Sequence, residues 1–297
     1  MKEYLRSDLA VEWDGLAAAE GVTVQRLRVG ACAIRRVRIH TSHAAERVGK
    51  PVGRYVTVEC PELCRMSGEQ YDEMRRAISV ELRGVAERAC GKRGRKGLSV
   101  LVVGLGNREM TPDAVGPETV RRLSVTRHLA PEERTPPFAG EIGELSALAP
   151  GVTGQTGIET TELIRGVVQA VSPDLVVAVD ALAARDVAHL VGVVQISDAG
   201  IFPGSGIGGR KRALNEETVG VPVIALGVPT VVESSVLICG ALRRVGFGEI
   251  SEEVREVLEA GRAHFVAPKE IDLQVSAAAM LLAEAIEGAF TTDSVFA

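Results

Sequence analysis

Leu98-Ser-Val-Leu-Val-Val-Gly-Leu-Gly-Asn-Arg-Glu-Met-Thr-Pro-Asp-Ala-Val-Gly-Pro117 is the stretch on which the reading of the fold turns. Its first half is an apolar, β-branched run without polar alternation, which predicts a strand buried on both faces. The run empties into Gly104-Leu105-Gly106-Asn107, a turn cluster. Thr111-Pro112-Asp113 then offers a helix start with proline just inside it. A buried strand that ends in a glycine turn and presents a carboxylate is the site-building geometry of an open α/β sheet. Asp113 is therefore the first candidate for chemistry.

The same grammar continues towards the C-terminus. A helix is expected around Pro117–Leu123, and a Pro/Gly-rich stretch with little periodicity follows over 129–157. Such a long unpatterned segment suggests function rather than plain connection. A helix to about Val171 precedes a strand over Leu175–Val179, which delivers Asp180. A strand over Gly192–Ile196 delivers Asp198, and one over Val221–Leu226 ends at Gly227-Val228-Pro229-Thr230, with Thr230 placed to cap a helix. Helices over Glu252–Ala260 and Pro268–Ala289 close the chain. Towards the N-terminus, Val22–Val29 and Ala33–Ile39 alternate loosely with arginines on one side, as an antiparallel ribbon with one wet face does. Tyr55–Glu59 is a further strand, and Tyr71, Met74, Ile78, Leu82 and Val85 give helical spacing over 68–90. The expected fold is α/β: a three-layer sandwich around a mostly parallel central sheet, with a small β-rich N-terminal layer over about 20–62. A soft boundary falls near Lys92–Lys96.

Composition narrows the function. Of 297 residues, 46% are hydrophobic and only 3% aromatic, so the core must come from Val, Leu, Ile and Ala. That scarcity of aromatics, with a net charge of −5, argues against a nucleic-acid binder. Cys32, Cys60, Cys64, Cys90 and Cys239 form no zinc-binding set, so reduced thiols are expected. No signal core stands at the N-terminus, and the longest apolar runs read as too short and too broken to cross a bilayer. A cytoplasmic protein without membrane contact is expected.

Asp113, Asp180 and Asp198 each follow a buried strand. Strands that point the same way would gather them, although Asp113 and Asp180 are 67 positions apart. Two carboxylates in one cleft do not ionise together easily; one stays protonated while the other acts as base. Such a pair can activate water and protonate a leaving amine without Ser, Cys or metal. The plainer reading of each is a helix cap or turn former. Other motifs carry less. The loop Pro203-Gly-Ser-Gly-Ile-Gly-Gly-Arg-Lys-Arg212 lacks the Gly-Lys-Ser/Thr of a phosphate loop. Ser205 has no evident His partner. The five histidines show no zinc spacing, and Arg185 is placed to pair with a carboxylate or simply with the surface.

These residues resemble the germination protease family of spore-forming bacteria. The resemblance rests on Gly104–Pro117, Val125-Thr-Arg-His-Leu129, Pro150–Thr160, Asp180-Ala-Leu-Ala-Ala-Arg185, Pro203–Gly206 and Gly227–Val232, and runs from about Arg6 to Ile271. It implies an endopeptidase, similar in fold to the hydrogenase maturation endopeptidases, that initiates degradation of small acid-soluble proteins coating spore DNA. It implies a zymogen, a homotetramer and a place in the spore core. The catalytic aspartates of the family fall on Asp113 and Asp180, and no cofactor is implied. Arg6-Ser-Asp-Leu-Ala-Val-Glu12 resembles the processing sequence, so residues 1–8 are expected as propeptide, cut between Asp8 and Leu9, ahead of one peptidase domain over 9–297. An acidic residue before the cut suits cleavage after acidic residues, and Arg210, Lys211 and Arg212 are candidates to hold that side chain. Asp198, Ser205 and Arg185 complete the expected substrate-binding set. The chain departs from the family in lacking Asn before the basic pair, in Ala199 where Thr is usual and in Glu233 where Asp is common. A metal-dependent peptidase of the hydrogenase-maturation type and a non-proteolytic α/β ligand-binding protein are the alternatives.

Overall fold

The apolar runs at Ser99–Gly104, Leu175–Ala184 and Val223–Glu233 lie side by side as parallel strands. The structure, a computed structural model, describes residues 7–13, 19–59, 63–91, 97–129, 143–202, 212–247, 251–261 and 264–290. In chain order the strands are β1 (Val22–Val29), β2 (Cys32–Ile39), β3 (Gly53–Glu59), β4 (Ser99–Gly104), β5 (Glu144–Leu148), β6 (Leu175–Ala184), β7 (Val193–Ser197), β8 (Val223–Glu233) and β9 (Phe265–Val266). The longer helices are α1 (Ser42–Val48), α2 (Gly68–Cys90), α3 (Val115–Arg122), α4 (Thr160–Val171), α5 (Ser234–Arg244), α6 (Glu252–Gly261) and α7 (Ile271–Phe290).

One mixed sheet runs β1-β2-β3-β7-β8-β6-β4-β5, with β9 added to β8. Its core, β5-β4-β6-β8, is parallel. β7 joins β8 antiparallel, and β3, β2 and β1 follow antiparallel. The N-terminal ribbon therefore continues the central sheet, with Tyr55 opposite Ser197, rather than standing apart from it.

Helices cover both faces, as a sheet apolar on both sides requires. On one face α2 and α7 pack Met74, Ile78, Leu82, Leu281, Leu282 and Ile286 against Val100, Val102, Val177 and Ile224. Ser67 and Gln70 form a reciprocal capping box that starts α2. On the other face α4 sets Ile164 and Val168 against Leu101, Val103, Val176 and Ala178. Further along that face, α1 and the segment 7–13 cover Val37, Ile39 and Tyr55.

Three elements differ from their sequence reading. α7 is long and apolar enough, by length and composition, to cross a membrane, whereas the sequence reading judged every run too short. Here it is wedged on α2: Ser79 Oγ donates to the Ala285 carbonyl at 2.9 Å, and Arg83 Nε to that of Ala289 at 2.8 Å. β6 and β8 outrun β4 and pair with each other as far as Ala184 and Val232, with a register shift at Leu182/Ala183. Asp180 thus lies within a strand, and Gly227–Thr230 is strand rather than turn. Thr230 is 1% exposed and caps nothing.

Candidate active site

The exit of β4 is built on backbone-to-backbone contact. A Cβ on Gly104 would sit 2.3 Å from the Gly116 carbonyl oxygen, and one on Gly116 2.3 Å from that of Leu105 and 2.5 Å from that of Val179. The Leu105 N–H donates to the Val179 carbonyl at 2.8 Å, tying the loop after β4 to the residue before Asp180. Gly106 takes φ +109°, and a Cβ there would lie 2.1 Å from the Asp113 carbonyl oxygen. The chain can therefore fold back so that Asn107 N–H donates to Asp113 Oδ2 at 2.7 Å. Asn107 Oδ1 in turn accepts from Glu109 N–H at 3.0 Å and from Gln155 Nε2 at 3.1 Å.

Asp113 ends a single 3-10 turn, Thr111–Asp113, that packs against β6 and β8. Asp180 is buried, and its Oδ1 accepts from Ala181 N–H at 2.9 Å. It stands in one row across the sheet with Gly227 of β8 and Gln195 of β7, so the side chains of Asp180 and Gln195 project to the same face, with only a glycine between them. Asp113 and Asp180 thus come to the same end of parallel strands. Two carboxylates so placed are the minimum equipment for moving protons to and from a water and an amine.

Beside this end lies the segment Ser7–Trp13. Leu9 and Ala10 are fully buried, Leu9 among Ala184, Val193, Val232 and Val236. Asp8 bonds the extension of β6 twice: its N–H donates to the Ala183 carbonyl at 3.2 Å, and its Oδ2 accepts from Ala183 N–H at 3.0 Å. Gln195 Nε2 donates to the Asp8 carbonyl at 2.8 Å, and its Oε1 accepts from Ala10 N–H at 2.6 Å. Glu12, buried, accepts from the N–H groups of Arg185 at 2.6 Å and Asp186 at 2.8 Å, from Ser7 Oγ, and bonds His189 Nδ1 at 2.6 Å. Burial opposes the charge on Glu12, but the bonds from His189, Ser7 and the two main-chain N–H groups outweigh it and hold the carboxyl below its ordinary range. The bond to Glu12, against the opposing effect of burial, holds His189 above its ordinary value.

The remaining expected site residues are dispersed. β7 runs against β6 and β8, which carries Asp198 back along the sheet, away from the level of Asp180. There Asp198 accepts from Arg54 N–H at 2.6 Å and Arg54 Nη1 at 2.9 Å. The premise that all three strands point the same way fails for β7. Arg185 directly follows β6 and is half-buried. Arg212 is exposed, and its carbonyl accepts from Thr161 Oγ1 at 3.3 Å. Ser205, Arg210 and Lys211 lie outside the described residues, as does Cys60. Among the described residues no group of three or more His, Cys, Asp or Glu side chains is placed to hold a metal ion.

Asn107, Gln155, Gln195, Glu12 and Lys50 were not singled out by sequence. A signal existed for Gln195: one amide inside Val193-Val-Gln-Ile196 must find partners once buried.

The model of the germination protease family matches residues 8–247. A germination protease of Caldanaerobacter subterraneus subsp. tengcongensis is 37% identical, over 95% of this chain and 93% of its own. One of Halalkalibacterium halodurans is 38% identical over 89% and 73%, and one of Clostridium perfringens 37% over 90% and 81%. Among solved structures, a NiFe hydrogenase maturation protease from Thermococcus kodakarensis aligns at 20% identity with a TM-score of 0.33, over 68% of this chain and 99% of that one.

Proposed function

The chain belongs to the germination protease family, and from that premise we propose that it is an endopeptidase that uses Asp113 and Asp180 to activate water. The observation that carries this reading is the folding of the Gly104–Asn107 loop onto Asp113 and, through Leu105 and Val179, onto the strand of Asp180. One carboxylate takes a proton from water as the oxygen attacks the peptide carbonyl. The other gives a proton to the departing amine, so the nitrogen leaves neutral. The two carboxyls end with their roles exchanged, and solvent resets them.

Its substrates in this reading are the small acid-soluble proteins that coat spore DNA, cut after acidic residues in the spore core early in germination. The chain contacts neither nucleic acid nor membrane directly and works as a homotetramer. It is made as a zymogen and removes residues 1–8 by cutting between Asp8 and Leu9. The docking of Asp8 beside Ala183, three positions beyond Asp180, supports that site of processing.

The test uses a peptide carrying Arg-Ser-Asp-Leu-Ala-Val-Glu. The wild type should hydrolyse it at the Asp-Leu bond with a chelator present. Asp113→Asn and Asp180→Asn, which keep the side-chain volume, should each lower turnover about 10²–10⁴-fold with unchanged circular dichroism. Loss of less than about tenfold in both would overturn the assignment, and loss caused by the chelator alone would move the chemistry to a metal.

A further inference from the structure

Every polar group of Asp8 has a partner, and all of those partners lie outside residues 1–8. Its N–H goes to the Ala183 carbonyl at 3.2 Å, and its carbonyl accepts from Gln195 Nε2 at 2.8 Å. Its carboxylate accepts from Ala183 N–H at 3.0 Å and faces Lys50 Nζ at 3.9 Å. Main chain held on both sides, with the side chain read separately, is how a strand takes an extended peptide.

We propose that Lys50, with the Ala183 main chain and the Gln195 amide, forms the site that takes the acidic residue preceding the cut in a substrate. The proposal rests on the endopeptidase reading above. In it, residues 7–8 of the uncut chain occupy the substrate's own track, and their removal opens that track.

The site is built to outlast its first occupant. Lys50 Nζ stands 5.5 Å from the centre of the Trp13 ring, close enough for a cation–π contact. Trp13 meets Tyr55 edge to face at 4.9 Å between centroids. Tyr55 is buried, and its hydroxyl donates to the Pro51 carbonyl at 2.8 Å, next to Lys50. Trp13 Nε1 donates to the Ser7 carbonyl at 3.4 Å, a bond that leaves with residues 1–8; the processed chain keeps the ring through its contact with Tyr55 and through the anchoring of residues 9–11. Leu9 and Ala10 are fully buried, and Arg35 Nη1 donates to the Val11 carbonyl at 2.6 Å. Lys50 therefore keeps its place when Asp8 is gone.

The vacated groups also need a new partner. Gln195 is 8% exposed, so its Nε2 would lose an acceptor in a place that water reaches poorly. An incoming peptide carbonyl supplies that acceptor, and the Ala183 N–H receives a side-chain carboxylate as it now receives that of Asp8. An asparagine in the same position would present a donor face to Lys50 and lose the charge-assisted contact. The chemical class of ligand is thus an extended peptide with a carboxylate side chain at this position. Lys50 rather than the Arg210–Arg212 cluster then reads the acid.

The experiment measures kcat/KM on two peptides, Arg-Ser-Asp-Leu-Ala-Val-Glu and its Asn counterpart, with wild type, Lys50→Met and Lys50→Arg. The wild type should favour Asp about three- to fivefold, the upper scale of a partly exposed ion pair. Lys50→Met should bring the two peptides to within about twofold of each other by raising KM for the Asp peptide, and Lys50→Arg should restore the preference. If the wild type cuts the Asp peptide and Lys50→Met keeps its preference, the site lies elsewhere and the proposal falls while the endopeptidase reading stands. If the wild type cuts neither peptide, the endopeptidase reading fails and takes this proposal with it. The side chain of Lys50 is 28% exposed, so its replacement spares the core.

Discussion

Removing the Glu12 carboxylate by Glu12→Ala should destabilise the protein by about 4 kcal/mol, and the structure shows why. The side chain is 1% exposed and is the shared acceptor of Arg185 N–H, Asp186 N–H, His189 and Ser7. Each donor stripped of a buried acceptor costs about 1–3 kcal/mol. Ser7, Arg185, Asp186 and His189 are only half-buried, so water takes back part of the loss and the low end of the range applies to each. The sum falls in the roughly 3–5 kcal/mol seen when one partner of a buried pair is removed. For a chain of this size that is a fall in Tm of about 5–8 °C.

The pH dependence gives a second reading of the same pair. The Glu12 carboxyl is held below 4.5, so its contribution is present above that value and is lost as pH falls through the lowered folded pKa. His189 is held above 6.5, so its contribution is complete below 6.5 and is lost as pH rises through the raised folded pKa. The pair should therefore stabilise most between 4.5 and 6.5. Scanning calorimetry of wild type and Glu12→Ala from about pH 3 to 9 covers the loss on both sides and tests both points. The gap in Tm should be widest in that window and should narrow on the alkaline side. A drop below about 2 °C at pH 5.5, or a gap that does not vary with pH, would refute the reasoning.

Two other substitutions probe the site and the strand extension. Gly106→Ala drives a Cβ to 2.1 Å from the Asp113 carbonyl oxygen at φ +109°; it should cost about 1–3 kcal/mol and lower peptide turnover at least about tenfold by displacing Asp113, read by melting and kinetics together. Thr230→Val replaces a buried hydroxyl that has no hydrogen-bond partner among the described residues; Tm should hold or rise by a few degrees, and a clear fall would mean the hydroxyl is bonded after all.

How far the sequence led depends on how local each signal is. β4, β6, β8 and α2 were legible because an unbroken β-branched run, or an apolar residue every three to four positions, needs no partner to be recognised. The place of Asp113, just past the exit of β4, was legible for the same reason. The strand extension was not, because Gly227 and Pro229 are turn residues by local chemistry. They are strand here because β6 lies alongside and the shift at Leu182/Ala183 absorbs the misfit. The direction of β7 was equally hidden: nothing in Val193–Ser197 says whether it runs with or against β8, and Asp198 was misplaced on that account. The Glu12 cluster joins residues 173 to 177 positions apart, a juxtaposition no local pattern encodes. Glu12 stood inside a motif noticed only for its likeness to a processing sequence.

The central claim is that Asp113 and Asp180 act as one catalytic unit, and the most direct test is the intact mass of the full chain after incubation at mildly acid pH. The account predicts that the wild type loses residues 1–8 and acquires Leu9 as its N-terminus, while Asp113→Asn and Asp180→Asn, incubated alone, keep their full mass. Loss of residues 1–8 at the wild-type rate in both variants would contradict it.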